Sequence, residues 1–226
     1  MATKRELLNE IRAALGPAIS PSLTNRSKGC DIYEAYLFGL VLKSAQEEDA
    51  RGITFENVDR SVSSTITFRT SPMKIQTRTM PYSHAVVEFD AKPPLEIHTG
   101  IFLNGSSKVA HESDVAVLDR AEAVACRNDP LAEIVPRSGK ALLTIEAKFH
   151  SSHFKLGLGR NFLGLCADYK VRDSFLVTNT VSDSVAALLA GKKCKFVPEV
   201  DPNLPNRVDR FRGLLRTVFF NYKTKR

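Results

Sequence analysis

The sequence predicts an α/β fold, a central mixed β-sheet flanked by helices, with an N-terminal helical and β extension. Three observations carry that expectation. Segments with the 3.6-residue apolar period of a helix are interleaved with short strand-like stretches along the chain. Two of those stretches, in the second half, are apolar on one face and charged on the other. The composition, 43% hydrophobic and 25% charged over 226 residues, is that of one ordinary globular domain.

The elements follow in order. Residues 4–15 read as an amphipathic helix with Leu7, Leu8, Ile11 and Leu15 on one face, stopped by Gly16-Pro17 and Ser20-Pro21. A second helix is expected from Asp31, as its N-cap, to Glu48; its centre, Ala35 to Leu42, is apolar all round and so belongs in the core. Strand-like stretches follow at Ser64–Thr70, Lys74–Thr79, Ala85–Phe89 and Leu95–Leu103, punctuated by Pro81 and Pro93-Pro94. They would form hairpins or a curved sheet, a strand-rich insertion over about 54–105 placed ahead of the central region.

Strands at His111–Leu118 and Ala141–Phe149 flank a connection containing Asn128-Asp129-Pro130 and Ser138-Gly139. A helix near Leu158–Lys170, a strand at Ser174–Thr178, a helix over Ser182–Leu189 and a strand at Cys194–Val200 come next, and a helix over Arg207–Tyr222 closes the chain. The core of the domain is expected at about 30–200.

Several functional classes are disfavoured. No apolar stretch reaches the ~18 residues that span a bilayer, and Met1 to Glu6 lacks the apolar centre of a signal peptide. The cysteines Cys30, Cys126, Cys166 and Cys194 form no CxxC pair and read as the reduced thiols of a cytoplasmic protein. His150 and His153 are a close pair, but no further Cys or His is near in sequence, so they read as polar loop residues rather than a zinc site. The formal charge of +7 admits a polyanionic partner without establishing one.

The informative residues are Glu112-Ser-Asp114 on one strand and Glu146-Ala-Lys148 on another. Alternation places Ile145, Ala147 and Phe149 in an apolar layer, with Glu146 and Lys148 together on the opposite face. Glu112 and Asp114 likewise share a face opposite Val115 and Val117. If the strands are neighbours, Asp114, Glu146 and Lys148 converge. Mg²⁺ takes oxygen ligands and is commonly held by one or two carboxylates plus phosphate oxygens. Asp114 and Glu146 would supply the carboxylates and Ala147 a backbone carbonyl, while Lys148 would orient water and offset charge on a reacting phosphate. The bland alternative is a rim salt bridge between Glu146 and Lys148. Glu34 lies in the apolar second helix: it either reaches solvent or a lysine from the helix start, or serves as a third acid.

This arrangement resembles the PD-(D/E)XK nuclease superfamily, the restriction-endonuclease-like fold, over about residues 30–200. Ser113 stands where the motif's name has proline, and the ExD form is closer to Mrr-like and Holliday-junction-resolvase-like members. The resemblance implies Mg²⁺-dependent phosphodiester hydrolysis, with Mn²⁺ as a substitute. It carries Asp114, Glu146 and Lys148 over as catalytic residues, supported by Glu34. It implies a DNA endonuclease of the kind used in prokaryotic restriction or phage defence, acting on double strands as a homodimer or higher oligomer. An RNA nuclease with the same site, or an inactive binding module of the same fold, are the alternatives.

Two basic features fit such a partner. Gly157-Leu-Gly159-Arg160-Asn161 reads as a turn opening a helix, with Lys155 and Arg160 as phosphate contacts. Residues 206–226 hold seven basic side chains against Asp209, which is +6 of the chain's +7. Val208, Phe211, Leu215, Val218 and Tyr222 form an apolar stripe there, for packing or dimerisation. The flanking Arg207, Arg210, Arg212 and Arg216 are either a solvated helix face or contacts to a DNA backbone.

Overall fold

The computed structural model describes residues 1–129, 134–150 and 155–225. Thr3 opens the first helix, α1 (Lys4–Leu15), through a capping box: its hydroxyl accepts from the Glu6 N–H, and the Glu6 carboxylate accepts from the Thr3 N–H. Leu7, Leu8 and Ile11 of α1 are buried against the second helix, α2 (Gly29–Glu47). Gly39 makes that approach close, since a Cβ there would meet the Ala14 Cβ at 3.1 Å.

Helix α2 begins before Asp31. Lys28 occupies the cap without a side-chain bond, and Asp31 sits buried in the first turn, where a carboxylate is favoured by the helix dipole. The stretch from Ala35 to Leu42 is buried all round, as its composition requires.

The remaining elements are β1 (Ser20–Pro21), β2 (Gly52–Asn57), β3 (Thr65–Ile66), β4 (Ser83–Glu88), β5 (Leu95–Asn104), β6 (Ala110–Asp119), α3 (Arg120–Asn128), β7 (Ala141–Lys148), α4 (Leu156–Asp168), β8 (Asp173–Thr178), α5 (Asp183–Leu189), β9 (Lys195–Val197) and α6 (Pro205–Thr224). Seven strands form one mixed sheet in the order β2-β4-β5-β6-β7-β8-β9; neighbours are antiparallel as far as β7, and β7, β8 and β9 are parallel. On one face Val115, Val117, Leu143, Ile145, Phe175 and Val177 join the core formed with α1, α2 and α6. On the other, Ala116 and Leu118 pack with α3 residues, and Leu176 packs with α4 and α5. The chain is therefore α/β with helices on both faces of a mixed sheet.

Several elements differ from the sequence expectation. The stretch 54–105 is integral to the sheet, because β4 and β5 pair in line with β6 and β2 pairs with β4. No strand forms over Lys74–Thr79, and Ser64–Thr70 contracts to β3. The Arg69 guanidinium donates to the carbonyls of Met73, Lys74 and Gly100 and lies 3.7 Å above the Tyr82 ring. Met73 bridges to Ile101, and the Thr77 N–H donates to the Lys74 carbonyl, so the chain turns after Lys74 where a strand is expected. Strand β2 lies at the sheet edge, and α3 fills part of the connection before β7; its cap is Asp119, whose carboxylate accepts from the Ala121 N–H at 2.8 Å.

Helix α3 is fastened to the sheet by a buried ion pair. Arg127 donates twice to Glu96, at 2.7 and 2.6 Å, and Glu96 is fully buried. Burial opposes ionisation of Glu96, but hydrogen bonds from His98 and Arg127 outweigh it and hold the carboxyl far below its ordinary range. Removing one member of a buried pair strands the other charge. Arg127→Met is therefore expected to cost ~3–5 kcal/mol, and Glu96→Gln/Arg127→Met markedly less; urea unfolding of both variants measures the difference.

Candidate active site

Strands β6 and β7 run antiparallel, with Val115 opposite Ile145. Beyond that pair the Ala147 amide donates to the Asp114 carboxylate at 2.6 Å, so a side chain takes the next position of the ladder. Asp114 is thereby fixed at the strand end, with only 4% of its surface exposed. Lys148 Nζ lies 2.7 Å from Glu146 Oε1 and 3.5 Å from Asp114 Oδ2. The structure thus brings Asp114, Glu146 and Lys148 to one point where β7 ends.

Glu34 approaches from α2. Gly29 lets the start of that helix press on Phe149, just past β7, since a Cβ at Gly29 would meet the Phe149 ring at 3.0 Å. Tyr33 packs on the same ring with centroids 5.1 Å apart. Burial and the charges of Asp114, Asp31 and Glu112 push Glu34 up to about 9, with Lys148 opposing. Glu34 thus belongs to the acidic cluster electrostatically. Glu34 is half-buried, and Lys148 is the cation that acts on it.

Glu112 is the member that the motif reading left aside, although it shares a strand face with Asp114. Its side chain reaches the surface, yet desolvation and the charges of Asp114 and Glu146 push it up to about 7. Asp114 and Glu146 are both raised, chiefly by burial. Burial opposes charge on Lys148, but Asp114 and Glu146 outweigh it and hold the ammonium above its ordinary range. Four carboxyls thus surround one lysine, and every one of them is biased toward its proton. Such an oxygen-rich, charge-frustrated set suits a hard divalent cation, which would relieve the repulsion that one ammonium leaves.

A second group can also hold a metal ion. His84, Glu96 and His98 are buried on β4 and β5, and their ligand atoms lie within 4.8 Å of one another. His98 Nε2 is 3.0 Å from Glu96 Oε2, and His84 Nε2 is 3.5 Å from it. Two imidazoles and a carboxylate suit a borderline metal rather than Mg²⁺. Alternation puts Glu96 and His98 on one face of β5, a local signal, whereas the approach of His84 from β4 depends on the pairing of the two strands.

The other expected residues are distributed as follows. Lys155 caps α4, and Arg160 is exposed on it. The glycines before it form no turn, because Gly157 and Gly159 lie inside α4; Gly159 permits close packing on α5, where a Cβ would meet Val185 at 3.1 Å. His150 exchanges hydrogen bonds with Asn179, fixing the exit of β7, while His153 lies outside the described residues.

Most basic groups of α6 are engaged within the chain. Arg207 pairs with Glu199, Arg212 with Glu47 and Asp209, and Arg216 with Glu48, while Lys223 reaches Glu48 and Asp49. Arg210 is exposed and has no ion pair among the described residues. The stripe of Phe211, Leu215 and Val218 is buried in the chain's own core. Glu47 is thirteen residues beyond Glu34 on α2, about 20 Å at ~1.5 Å per residue, so Arg212 lies far from the acidic cluster. Arg207 lies nearer, because Tyr33 donates to the Val200 carbonyl next to its partner Glu199.

Among the described residues no helix is long and apolar enough to cross a membrane. No protein-family model, curated protein or solved structure matches the chain.

Proposed function

We propose that the protein is a metal-dependent endonuclease that hydrolyses phosphodiester bonds of double-stranded DNA. The observation that carries this reading is the meeting of Asp114, Glu146 and Lys148 at one strand end, within a set of carboxyls all raised above their ordinary range. The resemblance to PD-(D/E)XK nucleases supports it, and so does an α/β sheet with helices on both faces. A prokaryotic restriction or antiphage role, and a cytoplasmic setting for its four free cysteines, belong to the same proposal.

Asp114 and Glu146 would hold Mg²⁺ or Mn²⁺, with the Ala147 carbonyl adding a ligand. Bound there, the cation supplies Lewis acidity toward a phosphodiester and lowers the pKa of water. The Ala147 amide keeps the Asp114 carboxylate aimed, which spares reorganisation during the reaction. Lys148, held charged by its two carboxylate neighbours, orients the attacking water and offsets negative charge gathering on the phosphate. Glu34, protonated near neutral pH when the cluster is metal-free, keeps an additional negative charge off the site and supports the water's position. Double-strand cleavage calls for two such sites, hence a homodimer. Its interface would use a surface other than the α6 stripe, which the chain buries itself.

Plasmid DNA and RNA incubated with Mg²⁺, Mn²⁺ or EDTA test the reading. DNA cleavage is expected with either cation and not in EDTA; Asp114→Ala should fall to the EDTA background and Lys148→Ala by ~10²–10³-fold. Metal-independent behaviour that neither substitution alters would sink the proposal. Preferential cutting of RNA would favour the RNA nuclease, and binding without cutting would favour the inactive module.

The acidic cluster also sets a pH dependence. Glu112 and Glu34 have folded-state pKa values of about 7 and about 9 against an ordinary 4.5, so the folded chain binds more protons than the unfolded one between these limits. Their favourable contribution is complete below about 4.5 and is lost as pH rises through about 7 and then about 9. Chelated protein should therefore melt at lower temperature in mildly alkaline buffer than in mildly acidic buffer, and Mg²⁺ should raise the melting temperature more in the alkaline one. A thermal-melt series with and without EDTA reads both effects.

A further inference from the structure

Three adjoining cavities open where β7 and β8 begin, at the end of β7 remote from Lys148. Their volumes are about 470, 390 and 500 Å³. The first two share Ser106 and Lys170, the last two share Gly139 and Lys140, and Arg172 lines the first and the last, so the three form one continuous groove. Eight basic side chains line it against a single acid, Asp119. The Asp119 carboxylate is already engaged in capping α3.

The state of these charges distinguishes the groove from α6. Lys108, Lys140, Lys170, Lys193 and Lys225 are exposed, and none has an ion pair among the described residues. Arg137 is bonded to Glu122, and Arg172 is 3.8 Å from Asp173. Most α6 cations spend their charge on Glu47, Glu48, Asp49, Asp209 and Glu199, whereas five lysines of this groove have no ion pair among the described residues. The segments that shape it are held in place: Ser106 N–H donates to the Asp168 carbonyl, and the Asp168 carboxylate accepts from the Ser107 amide and hydroxyl. Lys170 N–H donates to the Ser138 hydroxyl, tying the α4–β8 turn to the segment before β7. The lysines therefore project from a preformed frame.

We infer that this groove is a second nucleic-acid site, which grips the phosphodiester backbone beside the acidic cluster and beyond it. A concave channel lined by unpaired lysines, with small residues such as Ser106 and Gly139 in its walls, admits a narrow polyanionic backbone. A flat membrane surface would find neither a plane nor an apolar wedge here. Ala141 is seven positions before Lys148 on β7, about 23 Å at ~3.3 Å per residue, so the Lys140 end of the groove lies well away from the cluster; the Tyr169 end comes closer, since the Tyr169 hydroxyl donates to the Glu112 carbonyl. The choice of nucleic acid as the polyanion rests on the nuclease reading; the charge and shape of the groove do not.

The test measures binding of the full chain in EDTA to a fluorescein-labelled DNA duplex, by anisotropy across a salt series. Lys108→Gln/Lys140→Gln/Lys170→Gln removes three exposed, unpaired charges, and circular dichroism checks that its fold is kept. Affinity should fall at least about tenfold, and the slope of log Kobs against log salt should become shallower by up to about 2.7, at ~0.9 per lost phosphate contact. Unchanged affinity and slope in the triple variant would overturn the inference, as would wild-type binding to phosphatidylserine vesicles but not to the duplex. Groove-dependent binding without cleavage under any cation would leave this site standing and remove the nuclease reading. Cleavage with groove-independent binding would do the reverse.

Discussion

The register of β6 on β7 is the constraint on which both the core and the acidic cluster depend. With Val115 opposite Ile145, the rows Val115–Val117 and Leu143–Ile145 fall on the face covered by α1, α2 and α6. Asp114, Glu146 and Lys148 then fall together on the other side. Side chains alternate with a period of two, so a slip of one residue would send the carboxylates toward the helices and the valines out. The burial energy of the apolar rows thus holds the charged residues together, although those residues repel one another. The Ala147 amide adds a local lock by bonding Asp114 where the ladder ends.

That arrangement stores electrostatic tension. Lys148 compensates Asp114 and Glu146, but Glu112 and Glu34 remain, and their proton affinity rises accordingly. A structural salt bridge would settle with equal numbers of each sign. Here the carboxyls outnumber the one cation paired with them among the described residues, which is why the cluster reads better as a site than as a rim pair. The His84–Glu96–His98 group is balanced differently. Arg127 and Arg120 already face the carboxylates of Glu96 and Glu56 there, and a dication would add charge where the pairs are already matched. The oxygen-rich cluster is the better home for a hard cation.

Much of this was legible in the sequence, and the rest was hidden for physical reasons. Helix α1 matched its expected span because both ends carry local signals, the Thr3–Glu6 capping box and Gly16. The faces of β6 and β7 were legible because each strand is amphipathic with the period of a strand, whereas their pairing was only the condition of the expectation. Strand β2 was missed because an edge strand needs little apolar alternation, and α3 because its few buried residues leave a weak stripe. The strand expected over Lys74–Thr79 gives way to a turn in which the Thr77 N–H donates to the Lys74 carbonyl, and Arg69 donates to the same carbonyl. Asp31 reads equally as a cap or a first-turn acid; what decides is the packing of Gly29 on Phe149, far away in sequence. Glu112 was visible on the strand face of Asp114, but its electrostatic share appears only once β6 and β7 are side by side.

The net charge is where sequence and structure part most. Counting placed +6 of the +7 in the last 21 residues, which pointed to α6 as the polyanion surface. Folding brings the acidic end of α2 and its following turn, Glu47, Glu48 and Asp49, against that helix, and much of its excess is neutralised at close range. Acidic residues are drawn into pairs at α6 and crowded at the strand end near Asp114, and Lys140 and Lys170 have no ion pair among the described residues. Net charge alone fixes neither location. An acidic cluster repels a phosphate backbone at long range, and attraction must come from elsewhere on the surface to bring such a substrate within reach. Lys140, beside the start of β7 and some 20 Å from Lys148 at ~3.3 Å per residue, lies beyond the ~8 Å screening length of physiological salt, so it can attract a backbone at its own end without cancelling the field that selects a cation at the other.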